Sequence, residues 1–265
     1  MTPSLVLHRT LDTLIPPVCP VAGIEVGATG ALSAEAWREL TFIATPGCRR
    51  CGREVPEVQP PDPDFVCDTC RAYAHGWDRG RAAFSYEGTG RRLILSLKHG
   101  DRLDLVPLLA TWMRRVAGPL IEEADLLVPI PLHWSRRIAR RYNQSAELAR
   151  VISAQAGKPA AFDPFCLARP RRTPKQDGLD RAGRIANLQG ALAATRRGQR
   201  RLPGARVLLV DDVMTTGATL DAATRVCLAA GAGSVDVVVS ALVNFDRAPY
   251  VAAVNDPEDL ADDTD

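Results

Sequence analysis

Val207-Leu208-Leu209-Val210-Asp211-Asp212-Val213-Met214-Thr215-Thr216-Gly217-Ala218-Thr219-Leu220 carries the strongest pattern in this 265-residue chain. The apolar run predicts a strand over 206–210, continuous enough to be covered on both faces. Two adjacent carboxylates then close it, and a turn of small and hydroxyl residues opens a helix over 219–230 that Gly231 stops. Amides at a helix N-terminus converge on one point with roughly half a positive charge, so this turn can hold a phosphate. Gly217 permits close approach of backbone, and the threonine hydroxyls add donors. Carboxylates repel phosphate, whereas hydroxyls and hydrated Mg2+ suit them. Asp211 and Asp212 beside an anion cradle therefore describe a site for a ribose carrying a 5′-phosphate. The alternative is an ordinary turn in which the acids cap the helix, but one acid would suffice for that. The Lys of a nucleoside-triphosphate loop and the glycine spacing of a dinucleotide fold are both missing.

Working outward, strands are predicted over 82–86, 126–130, 164–168 and 235–242, and helices over 91–98, 103–116 and 143–156. Strands alternating with helices over 79–246 give an α/β domain with a mostly parallel sheet. The polar, Arg- and Gly-rich segment 169–187 has no period and reads as a long loop. Residues 247–265 form an acidic tail, with six acids and no base over 256–265, predicted to be a disordered end.

Residues 1–76 hold five of the seven cysteines and a Pro-rich stretch at 55–63, a poor basis for a conventional core. Cys48-x-x-Cys51 and Cys67-x-x-Cys70, with fifteen residues between the pairs, have the spacing of a closed four-thiolate zinc site. Such a site is structural, and one zinc per chain is expected. Against it stands the reading of four unrelated buried thiols. Pro17-Val18-Cys19 echoes Pro46-Gly47-Cys48, and Leu32-Ser33-Ala34-Glu35-Ala36 falls where Val66-Cys67-Asp68-Thr69-Cys70 does. This echo is either a degenerate first ribbon, with Ala22, Ser33 and Ala36 in place of thiols, or a coincidence between short segments. Cys166 and Cys227, in apolar settings, read as buried thiols.

Hydrophobic residues make up 46% and charged residues 24%, which fits a globular protein and excludes wholesale disorder. No apolar run approaches the ~20 residues of a spanning helix, and the N-terminus has no secretory pattern, so a cytoplasmic location is expected. Net charge is +2, but without 256–265 it is 33 bases against 25 acids, or +8. A basic body favours anionic partners. Arg clusters at 136–141, 169–172 and 196–201 could attract single-stranded DNA weakly, although few aromatics accompany them and a solvated surface is the simpler reading.

The Asp211–Thr219 sequence resembles the phosphoribosyl-pyrophosphate motif of type I phosphoribosyltransferases. With the cysteine pairs, Val128-Pro129-Ile130-Pro131-Leu132-His133, Arg141-Tyr142-Asn143-Gln144-Ser145 and Gln176-x-x-Leu179-x-x-x-x-Arg184-x-x-Asn187, all but the acidic tail resembles the ComF family of competence-associated proteins. The resemblance implies a phosphoribosyltransferase-like parallel sheet flanked by helices behind a small N-terminal double zinc ribbon. It implies that Asp211 and Asp212 bind the ribose hydroxyls and that Thr215, Thr216, Gly217, Ala218 and Thr219 hold the 5′-phosphate. Leu132 and His133 would then receive pyrophosphate, with Arg136 and Arg137 nearby. Lys175 and Arg184 would be catalytic cations of a loop that closes over the reaction, against the reading of solvated, flexible charge. Family members often carry Arg-Gly-Phe-Asn-Gln where this chain has Arg140-Arg141-Tyr142-Asn143-Gln144.

The implied chemistry is displacement of pyrophosphate from the ribose anomeric carbon of phosphoribosyl pyrophosphate by an unidentified nitrogenous base, with Mg2+ and Arg stabilising the leaving group. Structural Zn2+ and substrate-bound Mg2+ are the expected cofactors, and a DNA-uptake helicase is an expected partner. The rival expectation is a non-catalytic module that senses phosphoribosyl pyrophosphate or binds partners or single-stranded DNA during DNA uptake.

Overall fold

The computed structural model describes residues 16–44, 47–54, 62, 64–99, 102–132, 142–170 and 190–243. In chain order the elements are α1 (Ala34–Arg38), α2 (Asp68–Ala72), β1 (Gly80–Ser85), α3 (Gly88–His99), α4 (Val106–Glu123), β2 (Leu126–Pro129), α5 (Gln144–Gln155), β3 (Leu167–Ala168), β4 (Ala193–Ala194), α6 (Arg196–Arg201), β5 (Arg206–Met214), α7 (Ala218–Ala229) and β6 (Ser234–Leu242).

Four strands form a parallel sheet in the order β1-β6-β5-β2. Its centre is apolar throughout, with Val207, Leu208, Leu209 and Val210 of β5 and Val237, Val238 and Val239 of β6 at most 2% exposed. Parallel strands need crossovers, and the helices that supply them cover both faces. One buried cluster contains Leu93, Leu97, Leu109, Met113, Leu148 and Ile152 from α3, α4 and α5. The other contains Leu220, Ala223 and Cys227 of α7, and it also takes in Cys48, Cys51, Cys67, Cys70 and Trp77. The ribbon cysteines therefore belong to the core of the sheet's second face.

Helix α4 bends at Ala117 (φ −115°, ψ 16°), two residues before Pro119; proline lacks the N–H for the preceding turn and its ring crowds that turn's carbonyl. Residues 41–43 lie antiparallel against β1, with Ser85 N–H donating to Thr41 O and Ile43 N–H to Ala83 O. Trp37 and Phe42 pack on Trp112 of α4, with ring centroids 6.1 and 5.1 Å away.

Two departures from expectation concern the sheet. Strand β5 does not stop before the carboxylates; it runs to Met214, with Asp211, Val213 and Met214 still paired to Val239, Ala241 and Leu242 of β6. The short segment near 168 pairs with β4 in a separate two-stranded antiparallel sheet. The 3-10 turn Leu103–Leu105 precedes α4, which extends past the expected end at 116. Residues 171–189 and 244–265, which include the predicted 169–187 loop apart from its first two residues, and the acidic tail, lie outside the described residues.

Candidate functional site

The cleft forms because β2 ends before β5 does. Pro129 pairs with Val210, and Ile130 N–H makes one last bond to Val210 O at 3.0 Å. In a continued ladder the next bond would join Ile130 O to Asp212 N–H. Both groups turn elsewhere. Ile130 O accepts from Asn143 Nδ2 at 3.0 Å, and Asp212 N–H donates to the Asp211 carboxylate at 3.0 Å. Pro131 follows without an N–H to resume pairing, so the edge of β5 opens at Asp211.

Asn143 also caps α5, its side chain accepting from Ser145 N–H at 3.1 Å. The Ser145 hydroxyl donates to Asp211 Oδ1 at 2.8 Å. On the other side Lys98 Nζ of α3 lies 3.6 Å from Asp212 Oδ2. Burial, and next the charge of Asp212, push the Asp211 carboxyl up to about 7, against the opposing pull of Ser145 and Lys98. The pair thus combines one acid ionised only with difficulty and one that holds an ammonium, which suits it to hydroxyl donors or a hard cation. Two adjacent carboxylates with oxygen donors fit Mg2+.

Beyond them, Asp211, Val213, Met214, Thr215, Thr216, Gly217, Ala218, Thr219 and Leu220 line one cleft. Gly217 is left-handed (φ 76°) and caps α7, so the chain turns sharply and the first amides of α7 have no carbonyl partner behind them. A methyl group at Gly217 would stand 2.7 Å from Trp77 and 2.9 Å from His75. Both the backbone angle and the space demand glycine.

Of the predicted site residues, Asp211 and Thr215–Thr219 line this cleft, Asp212 adjoins it as the next residue of β5, and Leu132 follows the end of β2, partly buried. His133, Arg136, Arg137, Lys175 and Arg184 lie outside the described residues. Lys98 was not read from the sequence, where it is one more polar residue on an amphipathic helix. Ser145 stands in a recognised motif, but nothing in the sequence shows that it would reach Asp211.

The second site is thiolate. One sulfur from each of Cys48, Cys51, Cys67 and Cys70 lies within 4.8 Å of the others, and all four residues are buried. Cys67 N–H donates to Cys48 Sγ at 3.3 Å, a typical support for a ligating sulfur. Hydrogen bonds from Cys51, Cys67 and Cys70 draw the Cys48 thiol far below its ordinary range. Four soft donors at this separation fit a tetrahedral Zn2+ with no open position.

The proposed internal repeat has a backbone counterpart. Cys19 N–H donates to Ile24 O and Gly23 N–H to Cys19 O at 2.7 and 2.8 Å; Cys48 with Arg53 and Gly52 repeats both bonds at the same distances. Ser33 and Cys67 cap the five-residue helices α1 and α2 with φ/ψ of −64°/160° and −67°/159°. The first copy has one thiol, Cys19, which accepts from Ala22 N–H at 3.4 Å. The Ser33 hydroxyl instead accepts from Ala36 N–H at 3.2 Å, so a cap stands where the second copy has a ligand.

Residues 10–71 match the Double zinc ribbon domain family, and residues 114–255 match the Phosphoribosyl transferase domain family. The chain is 31% identical to DNA utilization protein YhgH of Salmonella typhimurium, the match covering 72% of this chain and 81% of that protein. It is 29% identical to the protein of the same name from Escherichia coli K12 over the same shares. Competence protein F of Haemophilus influenzae is 27% identical, with 72% and 82% covered. Ribbon repeat, thiolate cluster, parallel sheet and these relatives together place the chain in the ComF family, whose members join a double zinc ribbon to a phosphoribosyltransferase domain.

Proposed function

We propose that the chain binds phosphoribosyl pyrophosphate with Mg2+ and transfers its phosphoribose to a nitrogenous base. The observation that carries this reading is the open edge of β5, where Asp211 and Asp212 adjoin the left-handed turn at Gly217. In it, Asp211 and Asp212 accept hydrogen bonds from the ribose hydroxyls, Ser145 fixes the Asp211 carboxylate, and the amides of 215–219 hold the 5′-phosphate. Lys98 releases Asp212 when ligand arrives. Mg2+ supplies charge stabilisation for departing pyrophosphate. Leu132 and His133, with Arg136 and Arg137, face that leaving group, and Lys175 and Arg184 close over it and exclude water. Zn2+ in the Cys48, Cys51, Cys67 and Cys70 cluster is structural. No helix among the described residues is long and apolar enough to cross a membrane, and the cytoplasm is the proposed setting. Pyrophosphate release, measured with Mg2+ and a panel of purine and pyrimidine bases, is expected with at least one base; binding without release from any base contradicts transfer.

A second reading has its own observation: the relatives are named for DNA utilization and competence. In that reading the same pocket senses phosphoribosyl pyrophosphate, and the basic surface meets single-stranded DNA or a DNA-uptake helicase. The base panel separates the two.

A further inference from the structure

The proposed phosphate turn rests on a strap that closes the predicted 1–76 module and leads into the sheet domain. His75, Gly76 and Trp77 join the second ribbon to β1 and pass behind Gly217. Trp77 is fully buried, and His75 is 9% exposed. Their rings stack at 4.0 Å with planes 11° apart, and this stack occupies the space that a side chain at residue 217 would need.

Each end of the strap is fastened. Toward the turn, His75 Nδ1–H donates to Asp221 Oδ2 at 3.0 Å and Gly76 N–H to Asp221 Oδ1 at 2.8 Å. Asp221 lies in the first turn of α7, where its own N–H bonds Gly217 O at 2.8 Å. One carboxylate thus ties the strap to the helix that presents the turn's amides. Toward the ribbon, the Arg50 guanidinium donates to the carbonyls of His75 and Trp77, and Trp77 Nε1–H donates to Arg50 O at 2.6 Å. Arg50 stands between Cys48 and Cys51 in the knuckle itself.

We propose that His75 and Trp77 are positioning residues that hold the 214–220 turn in its ligand-ready shape, and that the four-cysteine knuckle anchors them through Arg50. The proposal rests on the reading that this turn takes the 5′-phosphate. A rigid turn has its amides converged before ligand arrives, so binding costs less ordering. The His75 bond to Asp221 is buried, so a partner lost there is not readily replaced by water, whereas the Gly76 bond is only partly covered. The ribbon's metal site would then contribute to ligand affinity without touching ligand.

Hydrogen exchange of the 214–220 amides and calorimetric titration with phosphoribosyl pyrophosphate in Mg2+ buffer, both on the zinc-loaded full chain, test this. His75→Ala should speed exchange in the turn about tenfold and weaken affinity by a similar factor, with exchange in β5 and β6 and zinc content unchanged. His75→Asn, whose amide can stand in for Nδ1–H, should restore much of both. Trp77→Phe, which keeps a ring behind Gly217 and the backbone bonds from the Arg50 guanidinium but loses the Nε1–H bond to Arg50 O, should fall between. Wild-type exchange in both His75→Ala and Trp77→Phe would overturn the proposal. Faster exchange in His75→Ala beside a wild-type protein that binds no ligand would instead overturn the ligand reading and leave the positioning role standing.

Discussion

Asp211 sits between two demands. In its proposed role it accepts hydrogen bonds from ribose hydroxyls, which the ionised form with two acceptor oxygens does best, yet burial and Asp212 push its carboxyl up to about 7. Affinity should therefore rise with pH through that value, by about tenfold between pH 6 and pH 8. Stability of the ligand-free protein runs the other way. Between the ordinary carboxylate range and about 7 the folded state binds the extra proton, so stability falls as pH rises across that window. Asp211→Asn should flatten both profiles, which binding titrations and urea unfolding at a series of pH values can check; a wild-type profile already flat would mean that Asp211 does not titrate there. At this scale the sequence disclosed the paired acids and the turn of Thr215–Thr219 in full, because strand, acids and helix start are contiguous in the chain. The parts played by Lys98, Ser145, His75 and Asp221 could not be read, even though Ser145 stands in a recognised motif, since each enters through a contact across at least 66 residues.

Among the elements, α6 shows what periodicity cannot detect. Arg196–Arg201 has no apolar residue and reads as a basic surface run, yet Thr195 caps it, accepting from Gly198 N–H at 3.0 Å. It is held from below by Asp163, whose side chain is fully buried and accepts from Arg197 Nε at 2.6 Å and Arg201 at 2.7 Å. Burial alone would raise this carboxyl, but Arg197, the Phe165 N–H and Arg201 outweigh it and hold it below the usual carboxylate range. Two of the Arg residues read as a DNA-attracting patch are thus spent on the fold. Asp163→Ala should cost about 2–3 kcal/mol near pH 7, below the ~3–5 kcal/mol of a fully buried pair because both arginines keep access to water. That contribution is present above the unfolded carboxylate range and is lost as pH falls through the lower folded value, so the urea midpoints of wild type and variant should converge only at a pH well below the ordinary carboxylate range. Persistent separation at that pH would deny the ion pairs their role. The length of β5 was misjudged for a related reason: paired acids look like a strand end, but β6 continues alongside and supplies the backbone partners.

Across the whole molecule, the alternation of strands and helices was enough to give a parallel sheet, and the cysteine spacing was enough to give the ribbon. What neither could show is how the two meet. The sequence suggested a cysteine-rich module with little core of its own, held together by metal; in the folded chain its thiols share one buried cluster with α7, β5 and β6. Near the first ribbon copy, Trp37 and Phe42 likewise lie against Trp112 of α4 while staying 51% and 36% exposed. Such contacts depend on tertiary placement and leave no local period. In the proposed reading, the phosphate turn is braced from the ribbon side and opened from the β2 side. Calorimetric titration of phosphoribosyl pyrophosphate into the zinc-loaded chain, in Mg2+ buffer near pH 8, examines that cleft as a ligand site. Saturable one-to-one binding is predicted for the wild type and none for the Asp211→Ala/Asp212→Ala double variant with its fold intact; no heat from the wild type, or equal affinity in the two, would contradict it.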